Sequence, residues 1–75
     1  MKVTVLIRPK PGILDPQGEA VLGSLRHLGF DVDEVRIGRV VDLEVKTADV
    51  AEIERMCEQL LANPLIESFE IGMPT

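Results

Sequence analysis

Tryptophan and tyrosine are absent from the 75 residues, phenylalanine occurs twice, and cysteine and histidine once each. With so few stacking rings, and 8 basic residues against 13 acidic ones, the chain has neither the basic surface nor the aromatics that nucleic-acid binding uses. Cys57 has no partner for an internal disulfide, and one cysteine with one histidine, His27, cannot build a structural zinc site. Long apolar runs are missing too. The opening MKVTVLIRPKPG is broken at Arg8 and Pro9, too early for a signal peptide, and nothing approaches the ~18 apolar residues of a membrane span. These absences describe a soluble, cytoplasmic protein that binds neither nucleic acid nor membrane. A single core in a domain this small supplies roughly 3 to 5 kcal/mol. With disulfide and metal set aside, association between copies is the remaining staple.

What is present is strongly patterned, and it reads as one domain over residues 1–75. Val3, Val5 and Ile7 alternate with Lys2, Thr4, Leu6 and Arg8, the period of a strand with one buried face. Val21, Leu22, Leu25 and Leu28 mark one stripe of a helix from about Gln17, and Gly29 supplies a left-handed stop with Phe30 folding back on Leu25. In DEVRIGRVVDLEVK, Val35, Ile37, Val41, Leu43 and Val45 share one parity. That parity favours a hairpin with a three-residue turn at Gly38-Arg39-Val40, pairing Ile37 with Val41; the alternative is one long strand bent at Gly38. Asp49 and Glu52 form a capping-box pattern ahead of a helical stripe of Val50, Ile53, Met56, Cys57, Leu60 and Leu61, which Asn63-Pro64 ends. Leu65 to Ile71 alternates as a last strand, and the tail 72–75 is expected to fray. The order βαββαβ implies an α+β two-layer sandwich of ferredoxin-like or related layout, an antiparallel sheet with two helices on one face. Leu6, Val40 and Ile66 fall on the other face, a surface open to a second subunit.

No catalytic constellation emerges. His27 lies off its helix's apolar stripe, Cys57 lies on one, and the acids cluster in turns and on outer helix faces. The stretch KPGILDPQG contains neither GxGxxG nor GxxxxGK[ST], so no common phosphate fingerprint applies. Its second half is a helix start: Asp15 as N-cap, Pro16 in the first helical position, Glu19 against the positive end of the dipole. Its first half has no such account, beyond a hydrophobic staple from Leu14. Gly18 and Gly23 are costly in a helix unless another backbone comes close. Arg36 and Arg39, flanking Gly38, are suited to an anion or a partner's carboxylate.

KPGILDPQGEAV, LGF, VRIGR and MCEQLLANPLIESFEI follow one another in the order and spacing of PurS, the small subunit of formylglycinamide ribonucleotide amidotransferase, and the chain resembles that family over nearly its whole length. The resemblance implies a place in the fourth step of purine biosynthesis, where glutamine-derived ammonia and ATP convert formylglycinamide ribonucleotide to formylglycinamidine ribonucleotide. It implies a subunit that is not itself catalytic and holds no cofactor. PurQ, the glutaminase, releases ammonia; PurL, the synthetase, uses it; a PurS homodimer or homotetramer joins them and assists ammonia transfer; ATP and Mg are used by the complex. Expected partner contacts are Lys10, Pro11, Gly12, Asp15, Gln17 and Gly18 in the first loop, Arg36, Gly38 and Arg39 at the hairpin, and Asn63 and Pro64. The alternative from another class is a stand-alone dimeric regulatory module binding a small ligand at its interface.

Overall fold

The Val3, Val5, Ile7 run forms the centre of the sheet. In the computed structural model, which describes residues 1–74, β1 (Lys2–Pro9) lies between β2 (Arg39–Glu44) and β3 (Glu67–Gly72) in the order β2-β1-β3. Both pairings are antiparallel, with Val5 opposite Val41 on one side and Ile71 on the other. This register puts Val3, Val5, Ile7, Val41, Leu43, Phe69 and Ile71 on one face, and a slip of one residue would turn an entire strand's apolar set to water.

That face is covered by α2 (Val50–Met56), which Asp49 starts by accepting the Ala51 N–H at 3.1 Å. The helix continues as a π turn over Cys57–Leu61, closed by Ala62 N–H to the Cys57 carbonyl at 2.9 Å, five residues back. The wider turn delivers Cys57 and Ala62 to the core and leaves Leu60 outside, 84% exposed. Val3, Val5, Ile7, Ile53, Cys57 and Ala62 are the buried centre, each large aliphatic among them contributing about 1.5–3 kcal/mol by leaving water.

The α+β class and the antiparallel sheet are as expected, but the sheet has three strands where the sequence pattern suggested four. Residues 31–37 form no ladder, and there is no hairpin at Gly38. The chain passes straight through Gly38 into β2, because Arg39 and Val40, the other two residues of the supposed turn, already pair with Ile7 and Leu6. The second difference concerns α1 (Pro16–His27), which contributes nothing to the core cluster over the sheet. It projects from the end of the sheet, and residues 30–37 return along it. Leu22 is buried outside the sheet's core cluster, and Leu25, Val32 and Val35 are half-buried. The molecule is accordingly 47 × 26 × 13 Å with a radius of gyration of 15.3 Å, against about 11 Å for a compact chain of this length.

Element ends follow local chemistry. Asp15 caps α1 with Pro16 inside it, and Gly29 at φ +96° ends it. The Phe30 N–H reaches the Leu25 carbonyl and the Gly29 N–H the Arg26 carbonyl, both at 3.0 Å, the two bonds of a Schellman ending. The last strand begins at Glu67 rather than Leu65, since residues 64–66 form a turn; Ile66 therefore lies in that turn and not on the open sheet face. Of the tail expected to fray, Gly72 pairs with Thr4 and Met73 packs against the core, while Thr75 lies outside the described residues. The open face carries half-buried Leu6 and exposed Val40 among polar pairs, Thr4 to Asp42 and Arg8 to Glu70.

Candidate functional site

The Lys10–Gly18 loop and residues 34–38 meet where the arm made by α1 and its return segment joins the sheet. Lys10 extends the β1–β3 ladder, its N–H donating to the Ile66 carbonyl at 2.9 Å, and its ammonium donates to the Pro64 carbonyl at 2.7 Å. The chain then reverses through Pro11-Gly12. The Ile13 N–H closes on the Lys10 carbonyl at 3.1 Å, and Gly12 takes φ +84°, the arrangement for which a type II turn wants Pro then Gly. The turn thrusts Leu14 into solvent, 78% exposed, beside exposed Ile13. The Pro-Gly turn and Ile13-Leu14 thus make a surface feature.

Asp15 serves both sides of the junction. Oδ1 accepts the Gly18 N–H at 3.0 Å, and Oδ2 accepts the Ile37 N–H at 2.8 Å, 22 residues on. The Ile37 and Gly18 amides, with help from the Arg36 charge, hold its pKa below the ordinary 3.8. Gly18 has to be glycine here: a β-carbon would overlap the Asp15 carboxylate and the Val35 carbonyl. Close backbone approach, the condition under which a helical glycine is worth its cost, is met at Gly18. At Gly23, where nothing lies within 4 Å of the β-carbon position, it is not, and the structure gives no reason for that residue.

Arg36 donates to the Pro9 carbonyl, fastening the return segment to the end of β1. Arg39, on the helix-side parity, reaches both carboxylate oxygens of Glu67, at 2.7 and 2.9 Å, and the Leu61 carbonyl at 3.1 Å. Glu67 also accepts the Asn63 N–H at 2.8 Å, and the Asn63 amide and Arg39 together lower its pKa below the ordinary 4.5. Asn63 Oδ1 in turn accepts the Leu65 N–H at 3.1 Å. An open cleft of about 400 Å³ runs between the Pro11–Asp15 loop and Glu34–Arg36.

The residues singled out from sequence therefore fall into two neighbouring groups. Pro11, Gly12, Asp15, Gly18, Arg36 and Gly38 surround the junction, and Lys10, Arg39, Asn63 and Pro64 gather around the turn before β3. Gln17 stands apart, exposed on the first turn of α1. Glu67, which ties Arg39 to Asn63, was invisible in sequence, where it is one acid among 13. Among the described residues no three His, Cys, Asp or Glu side chains gather as a metal site, and no helix is long and apolar enough to cross a membrane.

Cys57 is fully buried, and burial, with Glu54 and Glu58 nearby, pushes its thiol above the ordinary 9.0. Its reaction with a disulfide reagent should be slower in the native protein than in the urea-unfolded chain by at least about 100-fold, because thiolate formation and access both require opening. Stoichiometric labelling at the unfolded rate would contradict this placement.

A family model described as PurS: phosphoribosylformylglycinamidine (FGAM) synthase matches residues 2–75. The chain belongs to the PurS family. It is thus a subunit type of FGAM synthase, the ATP-dependent glutamine amidotransferase ligase of purine biosynthesis. The PurS subunit of Archaeoglobus fulgidus is 44% identical, with 95% of each chain covered. The structure of Bacillus subtilis PurS superposes with a TM-score of 0.89 at 36% identity, covering 99% of this chain and 98% of that one. A chain in the structure of PurLQS from Thermotoga maritima gives 0.84 at 28% identity, covering 97% and 95%.

Proposed function

We propose that this chain is the non-catalytic subunit that bridges the PurQ glutaminase and the PurL synthetase and assists ammonia transfer between them, acting in the cytoplasm as a homodimer or homotetramer. The observation that carries this reading is the likeness, along almost the full chain, to a component of the Thermotoga maritima PurLQS structure. The chemistry of the chain agrees. Its polar side chains at the junction are spent on holding backbone segments, and its cysteine is sealed in the core. ATP and Mg are used by the complex, and this subunit contributes no cofactor.

The surface offered to the larger subunits is the Lys10–Gly18 loop with the adjoining Arg36–Arg39 and Asn63-Pro64 segments. Within it, Asp15, Gly18, Gly38 and Arg39 hold the shape, while Pro11, Gly12, Leu14 and Gln17 face outward. Adding the purified protein to PurL and PurQ with glutamine and ATP should raise glutamine-dependent turnover. No gain over the two large subunits alone would sink the proposal. Leu14→Asp removes an apolar contact without touching the core, so it should leave the melting temperature within a few degrees and weaken complex formation by about tenfold or more, the effect of losing a buried apolar anchor. Wild-type affinity in this variant would remove the loop from the contact surface.

A further inference from the structure

The chain carries 13 acids against 8 basic residues, yet three of its arginines border one small hollow that no acid lines. The hollow, about 230 Å³, lies where β1 runs beside Gly38 and the start of β2, and its walls include Leu6, Arg8, Arg36, Gly38, Arg39 and Val40.

The three guanidinium groups are not equally committed. Arg39 is held by both oxygens of Glu67 and by the Leu61 carbonyl. Arg36 gives one N–H to the Pro9 carbonyl and, among the described residues, forms an ion pair with no acid. Asp15 feels its charge but spends both oxygens on the Gly18 and Ile37 amides. Arg8 reaches Glu70 at 3.3 Å with both side chains more than half exposed, a solvated surface pair that contributes little and exchanges readily. Two forks are therefore open to an anion, and one of them is already fixed by a backbone carbonyl, so little freedom is lost when it binds. The Arg8 stem passes Gly38 with its Cγ 3.3 Å from where a β-carbon would stand, which brings Arg8 up against the segment that carries Arg36. Leu6, half-buried, and Val40, 62% exposed, are cross-strand partners and add an apolar wall.

This combination fits an oxyanion on an apolar stem, and the charge of the whole chain decides what carries it. At a formal charge of -5 the molecule repels a free dianion at long range, whereas a carboxylate on a docking protein is brought in by the contacts around it. The hollow also adjoins the surface offered to the large subunits, with which it shares Arg36, Gly38 and Arg39. We infer that it receives an aspartate or glutamate side chain of one of those subunits, its carboxylate taken by Arg8 and Arg36 and its methylenes set against Leu6 and Val40. Arg8 exchanges Glu70 for the incoming acid, which two guanidinium forks can hold by several charge-assisted hydrogen bonds. The inference names the partner chemistry at the bridging surface and rests on that reading.

The test is titration of the protein into PurL and PurQ, read both as glutamine-dependent turnover and as anisotropy of a fluorescent label on PurL. Arg8→Gln should keep the melting temperature within a few degrees, since its pair with Glu70 is solvated, and raise the half-saturating concentration about tenfold. Arg8→Lys, which keeps the charge without the fork, should fall between the two. Arg55→Gln, which removes an exposed arginine from α2, should stay within about twofold of wild type. Added salt should weaken wild type more than Arg8→Gln. Equal half-saturation in wild type and Arg8→Gln, or an equal loss in Arg55→Gln, overturns the inference and leaves the bridging role standing. Binding that shows the Arg8 difference without stimulation upholds the inference and discards the assistance to ammonia transfer; no binding at all overturns both. Other occupants give different results. A change in the mass of the protein alone on Arg8→Gln, by light scattering, would place a second copy over the hollow. Stabilisation by millimolar inorganic phosphate in wild type but not in Arg8→Gln would place a free oxyanion there. Either result overturns the proposal.

Discussion

Asp15→Ala is expected to lower the melting temperature by on the order of 10 °C, beyond the loss of an ordinary helix cap. The carboxylate accepts the Gly18 amide in the first turn of α1 through one oxygen and the Ile37 amide through the other, so removing it unhooks both ends of the arm at once. Ile37 is half-buried and its N–H donates to Asp15 at 2.8 Å, so the variant removes that acceptor from a partly desolvated donor as well as uncapping a helix. Asp15→Asn keeps one acceptor oxygen and places an amide against an N–H at the other, so it should fall between the two. Acid adds a check. The folded pKa is held below 3.8, so the contribution is whole at neutral pH, starts to fade as the pH drops past that ordinary value, and is gone below the lowered folded value. Wild type and Asp15→Asn should therefore converge in stability as the pH falls below the lowered folded value, while differing most at neutral pH. Parallel curves across that range would show that the carboxylate is not what joins the two segments. Glu67, lowered from 4.5 by the Asn63 amide and Arg39, adds acid sensitivity of the same sign, and it does so equally in both proteins.

What could be read from sequence was whatever a single chain segment decides. The alternation of Val3, Val5 and Ile7, the Asp15-Pro16 start, the Gly29 stop and the Asp49 cap all depend on neighbours within a few residues, and each stands where the pattern put it. The 35–45 stretch was different. Its parity permits a hairpin or a straight strand equally, and the choice rests on distant residues: Ile7, whose carbonyl sits against Gly38, and Glu67, which fixes Arg39. The helical period likewise marked Val21, Leu25 and Leu28 as a stripe to be covered, but period cannot say by which chain. At the site, local turn chemistry revealed Asp15 as a cap and left its second bond, 22 residues away, out of view. Arg36 and Arg39 stood out by charge, and their carbonyl and carboxylate partners did not.

Gly38→Ala should be the most damaging single methyl in the chain. The added carbon would overlap the Ile7 carbonyl oxygen and sit 3.2 Å from its carbon, and both are backbone atoms of the central strand that no rotamer change can move. To make room, the start of β2 must lift from β1, which strains the Ile7–Arg39 pairing and with it the Arg39 contacts to Glu67 and Leu61. The cost should be about 3 kcal/mol or more, from overpacking against a fixed backbone. For a domain of this size that is a large share of the whole margin, about 4–11 kcal/mol at the usual stability per residue. Gly23→Ala is the matched control. It adds the same methyl in a helix interior with open space around it, and should gain about 0.5–1 kcal/mol from the better helix former. Urea unfolding of the two variants beside wild type measures both signs together. A Gly38→Ala protein as stable as wild type would mean that the chain does not run straight past Ile7. Residues 31–37 would then be free to turn back on β2 of their own copy, and the outstretched arm would lose its physical cause.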